Sequence, residues 1–203
     1  MKVIAAFVFL FAVPVFSHTQ NLEIDQDHSD ISFGVKHLMV SKVNGNFKNF
    51  SGTITMDEHD VKKDSVNVNI KVDSIDTRRD KRDEHLKSPD FFDADKFKEI
   101  TFKSTKVSGS DKKLKVEGLL TMHGVEKPVT LDAVVGGTQK DSGGKTHMGF
   151  SATGKIKRSD FGLKWNKALE TGGVMVGDEV TLNFEIEAVE TKVEGGDQGA
   201  KKN

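Results

Sequence analysis

Apolar and polar residues alternate over long runs of this chain, and this period of two constrains its fold more than any other feature. A β-strand points successive side chains to opposite faces, so each run predicts a strand with one apolar face. Strands of this kind build antiparallel sheets that close on themselves or pack on a second sheet. The apolar members of the runs are Ile31, Phe33, Val35; Val66, Val68, Ile70, Val72; Leu114, Val116, Leu120, Met122; Val129, Leu131, Ala133, Val135; Met148, Phe150, Ala152, Ile156; and Val180, Leu182, Phe184, Ile186.

One stretch interrupts the alternation, over residues 75–102. Basic and acidic side chains interleave at its start, and Thr77 is placed to cap a short helix over roughly residues 78–86. Pro89 prevents this helix from continuing, because the residue before a proline is pushed out of the α region. The apolar pair Phe91 and Phe92 follows between acids. The stretch therefore predicts a charged helix and an aromatic elbow that lie as a lid across an opening of a β domain.

The same stretch, TRRDKRDEHLKSPDFFDADKFKEITF, resembles the signature of the YceI-like family, periplasmic polyisoprenoid-binding proteins with a lipocalin-like barrel. Five further blocks follow the family in order, so that the resemblance extends over about residues 22–188. They read SDISFGVKHL, VNGNFKNFSGTI, GLLTMHGVEKPVTL, RSDFGLKW and VGDEVTLNFEIEA. At the position of Lys98 we expect the family to have proline. The difference affects a single turn. The resemblance implies a single antiparallel eight-stranded lipocalin-like β-barrel with one short helix near an opening.

The two ends of the chain differ from the region between them. Residues 1–17 combine a basic start, an apolar run and a Val-Phe-Ser end, which predicts a cleaved secretory signal peptide. The alternative is a membrane anchor, but a run of roughly 14 residues is short of the ~20 that span a bilayer. Residues 193–203 are too polar to pack, which predicts a disordered tail after a barrel domain of residues 18–192. We therefore expect a periplasmic or secreted protein.

Charge and cysteine content exclude two classes of protein. The chain carries 30 basic and 31 acidic side chains, nearly all interspersed, whereas a nucleic-acid-binding protein presents a basic face. It has no cysteine, so no disulfide framework is available and stability has to come from the core.

Small residues interrupt several apolar faces, at Gly118, Ala133, Ala152 and Gly154. They either leave volume missing in the barrel or mark bends in its strands, and the family resemblance favours a cavity. We expect a ligand tail to contact Phe33, Val68, Ile70, Phe91, Phe92, Leu120, Ala133, Phe150, Ala152, Gly154, Phe161, Trp165 and Phe184.

Polar candidates for a head group or for the mouth of the barrel are three histidines and three arginines. His37, His85 and His123 fall inside the family blocks, and each is a candidate ligand contact, base or loop anchor. Arg78, Arg79 and Arg158 suit an anionic head group, or they pair with nearby Asp76, Asp80 or Asp160. His59 and His147 are expected to be solvated. The sequence shows no local zinc-ligand spacing and no GxSxG elbow, so we predict neither a metal nor a catalytic nucleophile.

The resemblance implies a non-enzymatic carrier or store for a long isoprenoid or similar amphiphile of polyprenyl or quinone type. Two alternatives remain: an acid–base enzyme for a lipophilic substrate that uses His85 or His123, and a structural or stress-response barrel with a filled core. We expect no cofactor beyond a bound isoprenoid lipid or quinone. A homodimer and a transient contact with a membrane or a membrane protein stay open.

Overall fold

Ten antiparallel strands and one α-helix make up the described part of the chain, residues 19–110, 112–170 and 172–191 of a computed structural model. The predicted signal peptide and polar tail lie outside these residues. The elements are β1 (Thr19–His37), β2 (Ser41–Phe47), β3 (Phe50–Asp57), β4 (Ser65–Lys71), β5 (Ile75–Asp76), α1 (Asp80–Lys87), β6 (Glu99–Ser110), β7 (Lys113–Met122), β8 (Val125–Lys140), β9 (Thr146–Lys157) and β10 (Val176–Glu190). Single 3₁₀ turns occupy Val61–Lys63, Val72–Ser74 and Arg158–Phe161.

Eight of the strands close into an antiparallel barrel, which confirms the predicted fold class. They run in the order β1, β3, β4, β6, β7, β8, β9 and β10, and β10 pairs back onto β1. The remaining two, β2 and β5, extend from the second half of β1 as a side ribbon at one end of the barrel. No helix in the described residues has both the length and the apolar character needed to cross a membrane.

An irregularity in β1 reverses which residues face the barrel interior. Ile24 and Ile31 both point inward although an odd number of positions separates them. The pairing with β10 jumps from Asp25–Glu187 to Asp30–Glu185, so the intervening residues of β1 form a bulge. A bulge of this kind bends the strand and re-aims its side chains, which lets β1 line the interior along its whole length.

The barrel ends are closed in different ways. At the end where β1 begins, Leu22, Ile54, Met148 and Ala188 form a small buried cluster. At the other end the chain between β5 and β6 folds over the opening, and we call residues 77–97 the lid. The barrel therefore has one end filled by packed side chains and one end covered by the lid.

The helix of the lid begins two residues later than the sequence predicts. It spans Asp80–Lys87 and follows Arg79, whose side chain makes no capping hydrogen bond. Thr77 does not cap it. Instead the buried carboxylate of Asp83 reaches back and accepts hydrogen bonds from the Thr77 backbone N–H at 2.9 Å and from its hydroxyl at 2.5 Å. The contact ties the first turn of the helix to the end of β5.

Candidate functional site

Two apolar cavities lie next to each other inside the barrel. The lower cavity has a volume of about 110 Å³ and the upper cavity, beneath the lid, about 120 Å³. Ile70, Leu120, Leu182 and Phe184 line both, so the cavities adjoin at the level of these four side chains. Of the predicted ligand contacts, the structure places Val68, Ala133, Phe150 and Ala152 in the lower cavity and Phe33, Phe91 and Phe92 in the upper one.

Of the four small residues that the sequence singles out, two line the lower cavity. Ala133 and Ala152 face each other across β8 and β9, and both line the cavity. A Cβ on Gly154 would lie 2.6 Å from Leu131 Cδ2, and one on Gly118 would lie 2.4 Å from Phe102 Cζ. Neighbouring side chains already occupy the space at both glycines. Gly154 lines neither cavity, and its contact with a ligand stays a prediction.

The lid contributes apolar side chains to the upper cavity. Leu86, Phe91 and Phe92 line it, and Phe91 is buried in spite of its acidic neighbours. Phe92 packs edge-on against Phe47 with the ring centroids 6.2 Å apart, and Phe47 in turn lies 5.7 Å from Phe33. The aromatic elbow thus seals the barrel interior from above.

A side crevice of about 190 Å³ leads from the upper cavity towards the start of β10. It shares Phe33, Val35 and Phe91 with that cavity. His85 lines the crevice from the lid, Trp165 from the loop before β10, and His37 from the end of β1. The crevice thus adjoins the upper cavity at these shared side chains.

Arg158 is a buried cation in the wall of the upper cavity. Its guanidinium donates to four backbone carbonyls: Gly177 at 2.9 Å, Leu163 at 2.5 Å, Trp165 at 2.9 Å and Val176 at 3.3 Å. Burial lowers the pKa of this guanidinium, against the attraction of Asp178. Asp160 is not its partner. Because an arginine carries five N–H donors, one donor remains beyond these four bonds.

The other two predicted arginines lie away from the cavities. Arg78 and Arg79 are exposed at the start of the lid and line neither cavity. Arg82, which the sequence does not single out, donates to the Thr77 hydroxyl and carbonyl, both at 2.7 Å, and lines the side crevice. No signal in the sequence separates Arg82 from its neighbouring charged residues, because its contacts depend on the fold of the chain before the helix.

The three family-block histidines have separate environments. His85 Nε2 lies 2.9 Å from an Asp90 carboxylate oxygen, and its ring meets Trp165 edge-on. His123 Nδ1 lies 3.1 Å from the Phe161 carbonyl oxygen. Neither His123 nor the fully buried Phe161 lines a cavity, so the structure places both in the support of the barrel wall.

A polar cluster lies outside the barrel, where β1, β9 and β10 meet. The bulge of β1 brings His28 Nδ1 to 2.9 Å from Asp25, and the ligand atoms of Asp25, His28 and Glu187 all lie within 4.8 Å of one another. His147 Nδ1 lies 2.7 Å from Glu187 and its Nε2 3.3 Å from Asp141. His147 is thus held between two carboxylates, whereas the sequence suggested a solvated side chain.

The cluster shifts the pKa values of its members. The hydrogen bond to Glu187, and then that to Asp141, raises the pKa of His147, and the bond to Asp25 raises the pKa of His28. The hydrogen bond from His28 lowers the pKa of Asp25. The three residues Asp25, His28 and Glu187 offer the nitrogen and oxygen atoms that Zn²⁺ accepts.

Comparison with known proteins gives a consistent result. A family model described as the YceI-like domain matches residues 22–188. The Escherichia coli O157:H7 protein named Protein YceI is 40% identical over 172 residues, which cover 84% of this chain and 87% of that protein.

Solved structures repeat the architecture. The crystal structure of a Campylobacter jejuni YCEI protein has a TM-score of 0.67 and 41% sequence identity, covering 77% of this chain and 90% of that one. A polyisoprenoid binding domain from Saccharophagus degradans has a TM-score of 0.60 at 17% identity, covering 86% of this chain and all of that one (100%). The second likeness concerns the fold alone.

Proposed function

This chain belongs to the YceI-like family, and from that membership we propose that it buries the tail of a long isoprenoid or similar amphiphile, of polyprenyl or quinone type, inside its barrel. It acts without covalent chemistry, as a carrier or store. The predicted signal peptide supports a place of action in the periplasm or outside the cell.

The observation that carries the proposal is the pair of adjoining apolar cavities. Their walls are apolar except for a few groups: Thr55 and Asp64 in the lower cavity, and Ser32 and Arg158 in the upper one. Burial of a hydrocarbon tail contributes roughly 0.8 kcal/mol for each methylene. A tail that fills both cavities therefore binds firmly without specific polar contacts, and the site selects tails by length and width.

The polar group of the ligand belongs at the upper end. Arg158 supplies the charge there, and its remaining N–H suits a carbonyl or phosphate oxygen. The lower end offers Asp64, whose pKa is raised, chiefly by burial. Because no basic side chain among the described residues lines the lower cavity, an anionic head group has a cationic partner only at the upper end, which favours entry tail first, with the head group left beneath the lid.

Family membership and the apolar interior favour a binding protein over an enzyme. His85 has a carboxylate partner in Asp90, but its ring faces the side crevice beside aromatic rings. Among the described residues, Thr77 is the one hydroxyl side chain that lines this crevice as a candidate nucleophile. The cavities proper contain no histidine among their lining residues.

Organic extraction of freshly purified protein, followed by mass spectrometry, tests the proposal. We expect an isoprenoid or quinone lipid at about one equivalent per chain, and native mass spectrometry should show the same adduct. Protein that carries no such lipid, and that takes up neither a prenol nor a prenyl phosphate when offered, would indicate a filled structural barrel. Turnover of a lipophilic substrate that disappears in His85→Ala would favour the enzyme.

A further inference from the structure

The turn between β1 and β2 exposes three consecutive apolar side chains, and we propose that it docks on an anionic phospholipid surface. Leu38, Met39 and Val40 are 36%, 55% and 84% exposed, and Val174 from the loop before β10 is 38% exposed. We call these four residues the apolar tip. They line neither cavity, so the docking that we propose goes beyond ligand burial and can be tested without a ligand.

The backbone of the tip is strained for the residues it contains. The Val40 N–H donates to the His37 carbonyl at 3.1 Å, which closes a tight turn. Its central residues, Leu38 and Met39, have φ values of 52° and 61°. Turns of this type favour Asn-Gly, and bulky residues with positive φ are outliers. Since an Asn-Gly turn would close the same hairpin more easily, the fold of the hairpin does not account for two large apolar residues here.

Lysines flank the tip on β1, on β2 and in the loop before β10. Lys36 and Lys42 stand opposite each other on β1 and β2, an arrangement in which like charges repel. Lys167 joins the tip through the backbone, because the Met175 N–H donates to the Lys167 carbonyl and the Leu38 N–H to the Met175 carbonyl, at 3.0 and 2.8 Å. Within the described residues, Lys36, Lys42, Lys164 and Lys167 form no ion pair.

The acids at the start of β10 and in the loop before it are few. Glu179 pairs with Lys155 at 3.0 Å, and the Asp178 carboxylate accepts hydrogen bonds from the Ser159 backbone and hydroxyl. Glu170 is the one acid in residues 162–170 and 172–175 of the loop before β10. Because Glu179 is paired with Lys155, the four lysines stand against the carboxylates of Asp178 and Glu170, which leaves a surplus of positive charge around the tip.

An apolar projection flanked by lysines has the chemistry of an interfacial membrane element. Lysines near an anionic bilayer bind its head groups, and apolar side chains enter the boundary with the acyl chains. A stable protein interface needs roughly 800 Å² per partner, far more than four side chains at the end of a hairpin supply. The combination favours an anionic phospholipid surface over a second copy of this chain.

The tip lies beside the side crevice, so docking would bring the crevice close to the bilayer. His37, Met175 and Val176 at its base line the side crevice that adjoins the upper cavity. A barrel seated on a bilayer by its tip therefore holds this crevice near the membrane. On the function proposed above, an amphiphile would pass between bilayer and barrel at this point.

Flotation of the mature full chain with vesicles tests the docking. We expect binding to vesicles of equal parts phosphatidylglycerol and phosphatidylcholine, and much weaker binding to phosphatidylcholine alone or at high salt. The key variant combines Leu38→Asn with Met39→Gly. It should lower vesicle affinity roughly tenfold or more while raising the melting temperature, because it relaxes the turn. These two effects in opposite directions cannot come from misfolding.

Matched controls separate the tip from general surface changes. Val134→Asn removes an apolar side chain that is 44% exposed on β8 and should leave vesicle binding unchanged. Lys36→Gln with Lys42→Gln should weaken binding roughly tenfold at low salt. Lys113→Gln with Lys140→Gln, at the opposite end of the barrel, should have little effect.

Three results would overturn the docking. They are unchanged vesicle affinity in the tip variant, equal affinity for charged and neutral vesicles, and a dimer in sedimentation that the tip variant abolishes. The last would assign the tip to self-association. Vesicle binding by protein that carries no isoprenoid would leave the docking intact and count only against the carrier function.

Discussion

The indole of Trp165 lies 5.1 Å from the ring of Phe91, with 42° between the ring planes. This contact joins the lid to the loop that follows β9. The His85 ring meets both aromatic rings edge-on, at 4.9 Å from Trp165 and 5.0 Å from Phe91. Because Phe91 lines the upper cavity and Trp165 lines the crevice, these three rings hold the lid closed where the interior approaches the surface.

Removal of the aromatic elbow should open the lid. In the double variant Phe91→Ala with Phe92→Ala, a fluorescent isoprenoid probe should leave the barrel about tenfold faster or more, since burial of one Phe contributes roughly 1.5–3 kcal/mol. Off-rates should change more than on-rates. Stopped-flow exchange measures both. Phe97→Ala, in the same segment but packed on His123, is the control. Equal off-rates in a folded double variant would place the gate elsewhere.

Two neighbouring positions on β9 should respond differently to the same added side chain. Ala152→Leu places bulk in the lower cavity and should reduce the fraction of protein that carries lipid, at little cost in stability. Gly154→Leu meets Leu131 and should destabilise the fold by about 1–3 kcal/mol. Urea unfolding and native mass spectrometry distinguish the two effects. A normal lipid content in Ala152→Leu would mean that the ligand does not reach this level.

Arg158 should be essential to the upper wall. In Arg158→Met four carbonyls lose their donor, which we expect to lower the free energy of unfolding by about 3 kcal/mol. The exposed Arg78→Met should change it by less than about 0.5 kcal/mol. Chemical denaturation followed by circular dichroism provides the comparison. Similar stability in both variants would show that water replaces the guanidinium without loss.

The polar cluster outside the barrel should make stability depend on pH. The pKa of His147 is raised in the folded state, so its contribution is fully present below the ordinary value of about 6.5 and is lost as pH rises through the raised value. The melting-temperature difference between wild type and His147→Gln should therefore be largest in mild acid and shrink towards alkaline pH. His59→Gln, at an exposed position, should show no such trend. A difference that stays constant from about pH 5 to about pH 9 would contradict the pairing.

The alternation of apolar and polar residues determined most of the strands and their faces, because side-chain direction in a strand is a local property of the backbone. The closed barrel followed from the family resemblance, since alternation alone also fits two packed sheets. The alternation also identified much of the interior: Phe33, Ile70, Leu120 and Phe184 lie in the cavity walls. Whether these side chains contact a ligand stays a prediction. The interruption before Phe102 likewise marked the lid, since a run of mixed charges ending in proline cannot continue a strand.

Only the tertiary structure decided how distant segments use their polar groups and their space. Arg158 turns to carbonyls of the following loop, and Leu131 fills the place beside Gly154. His147 meets Glu187 across a strand pair, a contact between residues 40 positions apart. Such choices depend on which donor, acceptor or side chain arrives from another strand when the barrel closes. Strand register and bulges determine which of these groups meet, and a local pattern of residues does not predict them.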